Sequence, residues 1–246
     1  MGEKVRLDRW LVQRKLAPSR QRAKEMIEEG VVHIDGLPAT KCATLVDTAR
    51  AVTVRPHEHT WVSRGAKKLL SVLDLFDHPI ANLTCADFGS STGGFTEVLL
   101  HRGARKVHAV DVGKGLLHWR LRNDPRVVLH EGVNARHLEA LPDPIDLVVG
   151  DLSFISLTKI LPAVRRVLVD GGHAIVLVKP QFEVGRSELT KSGKPRNEEA
   201  RHEAIASTRS NAETQGFVVL DGQDSGLAGA KSGNIEHFLF LQHNGQ

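Results

Sequence analysis

Residues 87–96 read DFGSSTGGFT. An acid, a glycine, a run of hydroxyls and two more glycines separate the apolar stretch Leu83–Phe88 from a second one that begins at Phe95. Glycine clusters in that setting mark the turn where a strand hands over to a helix. Downstream the pattern repeats: strands are expected at Val107–Asp111, Val127–His130, Ile145–Gly150 and Ala174–Val178, with a helix around Leu157–Val169. Two last strands are expected near 216–220 and 237–241. The alternation predicts an α/β fold with a doubly wound, mostly parallel sheet, whose ligands bind beyond the C-terminal strand ends.

The spacing G-x-x-x-G-G is not the dinucleotide turn G-x-G-x-x-G, and no Gly-Lys-Ser/Thr follows it as in a P-loop, which argues against NAD and ATP. Twenty-two residues past Gly89, the next strand ends in Asp111, where a carboxylate is placed to accept both hydroxyls of a ribose. An adenosine without phosphates fits S-adenosylmethionine. Gly89, Gly93 and Gly94 then bring bare backbone near the ligand, or simply pack a tight turn. Asp87, Ser90, Ser91, Thr92, Phe95 and Val112 complete the candidate donor contacts, with Asp151 after the fourth strand. Asn134 either meets the adenine or shapes a turn.

The chain has 246 residues, 41% of them hydrophobic and 25% charged, ordinary values for a globular protein that buries a core. Cys42 and Cys85 are too few for a disulfide framework, and the charged start MGEKVRLDRW is unlike a secretory signal, so a cytoplasmic protein is expected. No apolar run approaches the roughly 18 residues of a membrane span. Residues 1–24 hold eight lysines and arginines against Glu3 and Asp8, whereas the whole chain carries only +4. The basic charge is concentrated at one end, which suits either a polyanion partner or a solvated helical face.

That end reads as a helix from Leu7 to Leu16, a helix from Arg20 to Glu29 capped by Ser19 and stopped at Gly30, and a strand Val31–Ile34 before the turn Asp35-Gly36. Arg6-Leu7-Asp8, Leu11, Ser19-Arg20, Ala23, Ile27, Gly30, Val32, Ile34 and Asp35-Gly36 resemble the S-four (αL) RNA-binding domain, a small α+β module. The resemblance implies contacts with folded RNA through Arg6 and Arg20 above all, with Arg14, Lys24 and Lys41 beside them. Domains are expected at 1–54 and 63–246, joined by a linker at 55–62.

Base N-methylating enzymes commonly carry Asp/Asn-Pro-Pro-Tyr/Phe after the fourth strand; here Gly150-Asp151-Leu152-Ser153-Phe154 stands there, without prolines. Asp151 and Lys179 each follow directly on an apolar strand, so both face the crevice of the glycine turn, as a catalytic pair or as an ion pair stabilising the sheet top. Together with the stretches around Lys68 and Glu236, they resemble the Lys-Asp-Lys-Glu set of the FtsJ-type ribose 2′-O-methyltransferases. With VSRGAKKL, GDLSFISL, VKPQFEVG and SGNIEHF, nearly the whole chain resembles the TlyA family of rRNA cytidine-2′-O-methyltransferases, also labelled hemolysins. The resemblance implies Lys179 as base, Asp151 as its electrostatic partner, and Lys68 and Glu236 holding the network. It also implies S-adenosylmethionine as donor and ribosomal RNA in ribosomal subunits as partner, with no metal, no membrane and no required protein partner. A non-catalytic, rRNA-binding assembly factor is the alternative, and a pore-forming cytolysin lacks an insertion segment. One departure is His59, where the family usually has an arginine two residues before its tryptophan. The basic loop 186–196 is a candidate to close over RNA, or a solvated loop.

Overall fold

The computed structural model describes residues 4–28, 30–47, 50–54, 61–227 and 233–245. The chain divides into two units, Met1–Thr60 and Trp61–Gln246. Six positions of the expected linker, 55–60 with His59 among them, lie outside the described residues, as does Glu29 at the expected end of the second helix. Trp61 and Val62, the rest of that linker, pack against the core of the larger unit.

In the small unit, strand β1 (Lys4–Arg6) leads into helices α1 (Leu7–Gln13) and α2 (Arg20–Glu28), followed by β2 (Val32–Ile34), β3 (Leu37–Pro38), β4 (Leu45–Asp47) and β5 (Val52–Val54). β1 pairs with β4, and β2 lies between β3 and β5, all antiparallel. Leu7, Leu11, Ala23, Ile27, Val32 and Val46 close one apolar core. Helix α1 stops three residues before the expected Leu16 because Lys15 turns left-handed at φ 57°, after which Leu16 N–H returns to the Leu11 carbonyl. The Ser19 hydroxyl accepts from Arg22 N–H at 3.1 Å, the expected cap of α2. Asp35 and Gly36 both take positive φ, as a tight hairpin turn between right-twisted strands requires.

The large unit begins with α3 (Arg64–Phe76), absent from the expected elements. Then follow β6 (Thr84–Phe88), α4 (Gly94–His101), β7 (Lys106–Asp111), α5 (Trp119–Arg122), β8 (Val127–Glu131), β9 (Ile145–Gly150), α6 (Leu161–Val167), β10 (Leu168–Val178), α7 (Pro180–Glu183), α8 (Glu198–Thr214), β11 (Phe217–Asp224) and β12 (His237–His243). The sheet runs β11-β12-β10-β9-β6-β7-β8. The five strands from β10 to β8 are parallel, and β12 and β11 add antiparallel to that edge. Strand order reverses at β6, which lies between β7 and β9. The C-terminal ends of β6 and β9 therefore border the switch-point crevice where ligands of such sheets bind.

Two apolar layers cover the sheet. Cys85, Val107, Leu147 and Ile175 face α3 and α4, whereas Ala86, Val110, Val148 and Val176 face α6 and the Ala212 end of α8. The helix expected through Val169 ends at Val167, because Leu168 already pairs with Ile145; the register breaks between Leu168 and His173, around Gly171 and Gly172. Among the described residues no helix is long and apolar enough to cross a membrane.

Candidate active site

The turn after β6 is built by packing. A Cβ on Gly89, where φ is +81°, would meet the Asp151 carbonyl oxygen at 2.9 Å. One on Gly93, at φ +97°, would overlap Leu121 and Leu117, and one on Gly94 would overlap the Ser63 hydroxyl and lie 2.8 Å from Ala66 N. All three glycines thus have protein on their Cβ side. They let α4 seat against α3 and the Leu117–Leu121 segment, leaving the backbone of the turn along the cavity wall.

Two depressions flank this turn, with volumes of about 680 and about 450 Å³, and both are lined by Gly89, Ser91, Asp151, Ser153 and Phe154. Asp111 lines the smaller one. Its Oδ2 accepts from Ser91 N–H at 2.8 Å and its Oδ1 from Gly113 N–H at 2.7 Å, so the carboxylate ties the glycine turn to the next strand end. Val112 stands exposed beside it. Asn134 lines the same depression, and its Oδ1 accepts from Arg136 N–H at 3.1 Å, so it shapes the turn and borders the cavity at once. Thr92 holds His118 N–H through its carbonyl, Ser90 is buried, and the Phe95 ring belongs to the core against Phe238. Asp87 is buried at the border of the larger depression. Its Oδ2 accepts from both Thr96 N–H and Thr96 Oγ1–H, whereas its Oδ1 is buried without a hydrogen-bond partner among the described residues. Burial raises its pKa to about 7, against the opposing Thr96 hydrogen bonds.

Beside Asp87 and Arg64, the larger depression holds a cluster of four charged side chains from four separate segments. Lys68 comes from α3, Asp151 from the end of β9, Lys179 from the end of β10 and Glu236 from the residue before β12. Lys179 Nζ lies 2.5 Å from Asp151 Oδ1 and donates to Ser153 Oγ at 2.7 Å; Lys68 Nζ lies 3.2 Å from Asp151 Oδ2 and 2.6 Å from Glu236 Oε2. Lys179 and Glu236 are only 6% and 4% exposed, so two cations and two anions neutralise one another with little help from water. Burial opposes the charge on Lys68, yet Asp151 and Glu236 outweigh it and hold the pKa above the ordinary lysine value. The same burial acts on Asp151, and the two lysines overcome it, keeping the carboxyl below its usual range.

Of the five expected RNA contacts, Arg6 and Arg20 converge on the buried Asp8. Arg6 donates through Nε and Nη2 at 3.1 and 3.2 Å, and Arg20 through Nη2 at 2.9 Å. These contacts, the Arg6 hydrogen bonds foremost, bring the Asp8 pKa to about 2. Arg14 lies over the Trp10 ring at 5.4 Å, Lys24 is 3.7 Å from Glu28, and Lys41 is exposed.

Residues 61–243 match the FtsJ-like methyltransferase family and residues 5–49 the S4 domain. A 16S/23S rRNA (cytidine-2′-O)-methyltransferase TlyA from Mycobacterium tuberculosis is 48% identical over 98% of this chain and 91% of its own length. The chain belongs to the TlyA group of FtsJ-like methyltransferases. Hemolysin A of Brachyspira hyodysenteriae is 37% identical over 96% of this chain and all of its own. A solved hemolysin-type structure from Streptococcus thermophilus, 35% identical, superposes with a TM-score of 0.73 over 99% of this chain and 90% of that one.

Several side chains of this TlyA-group site stand inside the stretches VSRGAKKL, GDLSFISL and VKPQFEVG, where the sequence assigned them no role. Ser63 caps α3 and fills the space that Gly94 leaves open. Ser153 binds Lys179, although 26 residues separate them. Gln181 lines the cavity with its Oε1 buried and without a hydrogen-bond partner among the described residues, and Glu183 holds Ser156 Oγ at 2.6 Å and Leu157 N–H at 2.7 Å. Only Ser63, an N-cap residue ahead of apolar positions 66, 69, 72, 73 and 76, had a local signal. The loop 186–196 is a closed hairpin, with Leu189 bridged to Pro195 and Thr190 N–H on the Lys194 carbonyl.

Proposed function

We propose that the chain methylates the ribose 2′-hydroxyl of cytidine in ribosomal RNA of the small subunit, the large subunit or both, using S-adenosylmethionine, in the cytoplasm and without a further protein. The observation that carries this reading is Lys179: a buried lysine held by Asp151 and Ser153 at the end of a strand, facing a cavity, with Lys68 and Glu236 behind it. The names of the TlyA relatives from Mycobacterium tuberculosis and from Campylobacter jejuni, the latter a 23S rRNA (cytidine-2′-O)-methyltransferase, supply the substrate class.

The residues fit the donor. Asp87 offers a buried, unpartnered carboxylate oxygen to the amino group of its methionine part, and Asp111, Val112 and Asn134 line the lobe for the adenosine, with residues 89–95 between. When bound, the donor supplies an electrophilic methyl on a sulfonium. Asp151 and Ser153 take two directions around the Lys179 Nζ and leave one toward the cavity for the 2′-hydroxyl. Lys179, once its ammonium has given a proton to solvent, would accept the hydroxyl proton as the 2′-oxygen takes the methyl and the carbon–sulfur bond breaks to leave a thioether. Lys68 and Glu236 keep Asp151 in register, so the amine is aimed before substrate arrives. Residues 1–54 serve as the RNA-binding domain, 55–62 as the linker and 63–246 as the transferase. Asp8 leaves the outer N–H groups of Arg6 and Arg20 for phosphates, and Arg14, Lys24 and Lys41 add charge.

The test is transfer of labelled methyl to purified small subunits, large subunits and intact ribosomes lacking the modification, followed by mapping of the methylated sites. The expected label is on cytidine ribose and disappears in Lys179→Ala. Donor binding without label on any particle would overturn the substrate assignment, and absence of donor binding would overturn the enzyme reading in favour of an assembly factor.

A further inference from the structure

The larger depression continues past Lys179 to two features that proton transfer does not need. Phe154, three residues after Asp151, is 91% exposed and sits at φ 65°, a left-handed conformation that side chains rarely adopt. Glu183 ties down the loop just beyond it through Ser156 and Leu157 N–H, and the Phe182 ring leans against Phe154 at 5.4 Å. The loop therefore presents one ring face outward from a fixed position. Gln181, two residues after Lys179, has a buried Oε1 that accepts no hydrogen bond from the described residues. A buried acceptor without a donor is costly unless something that binds later supplies one.

A nucleotide whose 2′-hydroxyl lies at Lys179 carries its base on the adjacent ribose carbon, so the base must fall among the residues that flank the lysine. We infer that Phe154 and Gln181 form the seat of the target base: the base stacks on the outward face of Phe154, and Gln181 Oε1 accepts from the exocyclic N4 amine of cytosine. The Phe154 and Phe182 rings touch, so the base lies on Phe154 and not between them. Uracil carries an acceptor, O4, where cytosine carries that donor, and two acceptors facing each other in a buried site repel. Gln181 is thereby the residue that selects cytidine, while Phe154 binds either pyrimidine through its ring face. This rests on the reading of the site as a ribose methyltransferase.

The experiment uses the full chain and subunits reconstituted with cytidine or uridine at the position that the wild type methylates. The wild type is expected to prefer cytidine by about 100-fold, toward the upper end of what one good contact to a base edge gives against the wrong base. Gln181→Leu, similar in size but without the acceptor, is expected to bring that ratio to within about 3-fold, mainly by slowing cytidine, with donor affinity unchanged. Gln181→Glu keeps an acceptor at the same place and is expected to retain the cytidine preference. Phe154→Leu is expected to raise KM for both substrates and leave their ratio alone. An unchanged ratio in Gln181→Leu, a wild-type preference for uridine, or a parallel loss of donor binding would overturn the inference while leaving the activity standing. A wild type that binds donor but methylates neither particle would instead overturn the reading of the active site, and this inference with it.

Discussion

Asp8 in the small unit and Asp151 in the large one each lie between two basic side chains, at similar distances, and the surroundings give the two arrangements different work. Arg6 and Arg20, the partners of Asp8, are 40% and 56% exposed, so water screens the pairs and each is worth a fraction of a kcal/mol to about 1. Such a cluster chiefly orders two guanidiniums at the surface. The partners of Asp151 are lysines with side chains 13% and 8% exposed, and Glu236 stands behind one of them. Removing a member there strands a charge, at about 3 kcal/mol or more. The same ion-pair chemistry thus presents cations to a polyanion in one unit and aims a reactive amine in the other, and burial makes the difference.

The contrast breaks first at Lys179. In Lys179→Ala, single-turnover methyl transfer is expected to fall about 1,000-fold with donor affinity kept, as removal of a positioned proton acceptor does; retention of more than about a tenth of the activity would make the buried cluster merely structural. Stability separates the two carboxylates next. Asp151→Ala is expected to lose about 3 kcal/mol in urea unfolding and Asp8→Ala about 1, and equal losses would erase the distinction. The Asp8 carboxyl titrates at about 2 in the fold, so its contribution is present above the unfolded value near 4 and is lost as pH falls toward 2.

Asp87 sharpens the comparison, since it is a buried carboxylate without a cation among the described residues. Its pKa of about 7 means that it is protonated below neutrality and becomes an anion above it. Because the donor's ammonium requires the anion, donor affinity is expected to rise about 10-fold from pH 6 to pH 8 in calorimetric titrations, and Asp87→Asn is expected to flatten that rise. The smallest effect falls on Arg6. Arg6→Ala is expected to reduce the slope of log affinity for rRNA against log salt by about one, with little change in methyl transfer to saturating subunits.

The sequence showed some elements and concealed others for identifiable reasons. The strands from β6 to β10 announced themselves as apolar runs, since a sheet covered on both faces demands them. Helix α8 did not, because its buried face is Ala200, Ala204, Thr208 and Ala212, spaced correctly but too small to stand out as hydrophobic. Helix α3 has a cap and an apolar stripe that were legible, and its Lys68 entered only through a resemblance. The convergence of Arg6 and Arg20 on one carboxylate was hidden, because Asp8 is near Arg6 in sequence but meets Arg20 only when α1 and α2 pack.

What the sequence determined by itself was local: the glycine turn after Phe88, the carboxylate at the next strand end, the caps, the hairpin at Asp35-Gly36 and the basic bias of one end. Each depends on residues a few positions apart, whose dihedral preferences and periodicity act before any distant contact forms. The tertiary structure decided which charges meet. Lys68 and Glu236 are far apart in the chain and touch because α3 packs on α4 at the sheet end where β9 and β10 finish and the chain approaches β12. It also decided that the three glycines face protein, that Asp87 is neutral at low pH, and that Phe154 and Gln181 share a wall with Lys179, since burial and electrostatic environment are properties of the packed chain.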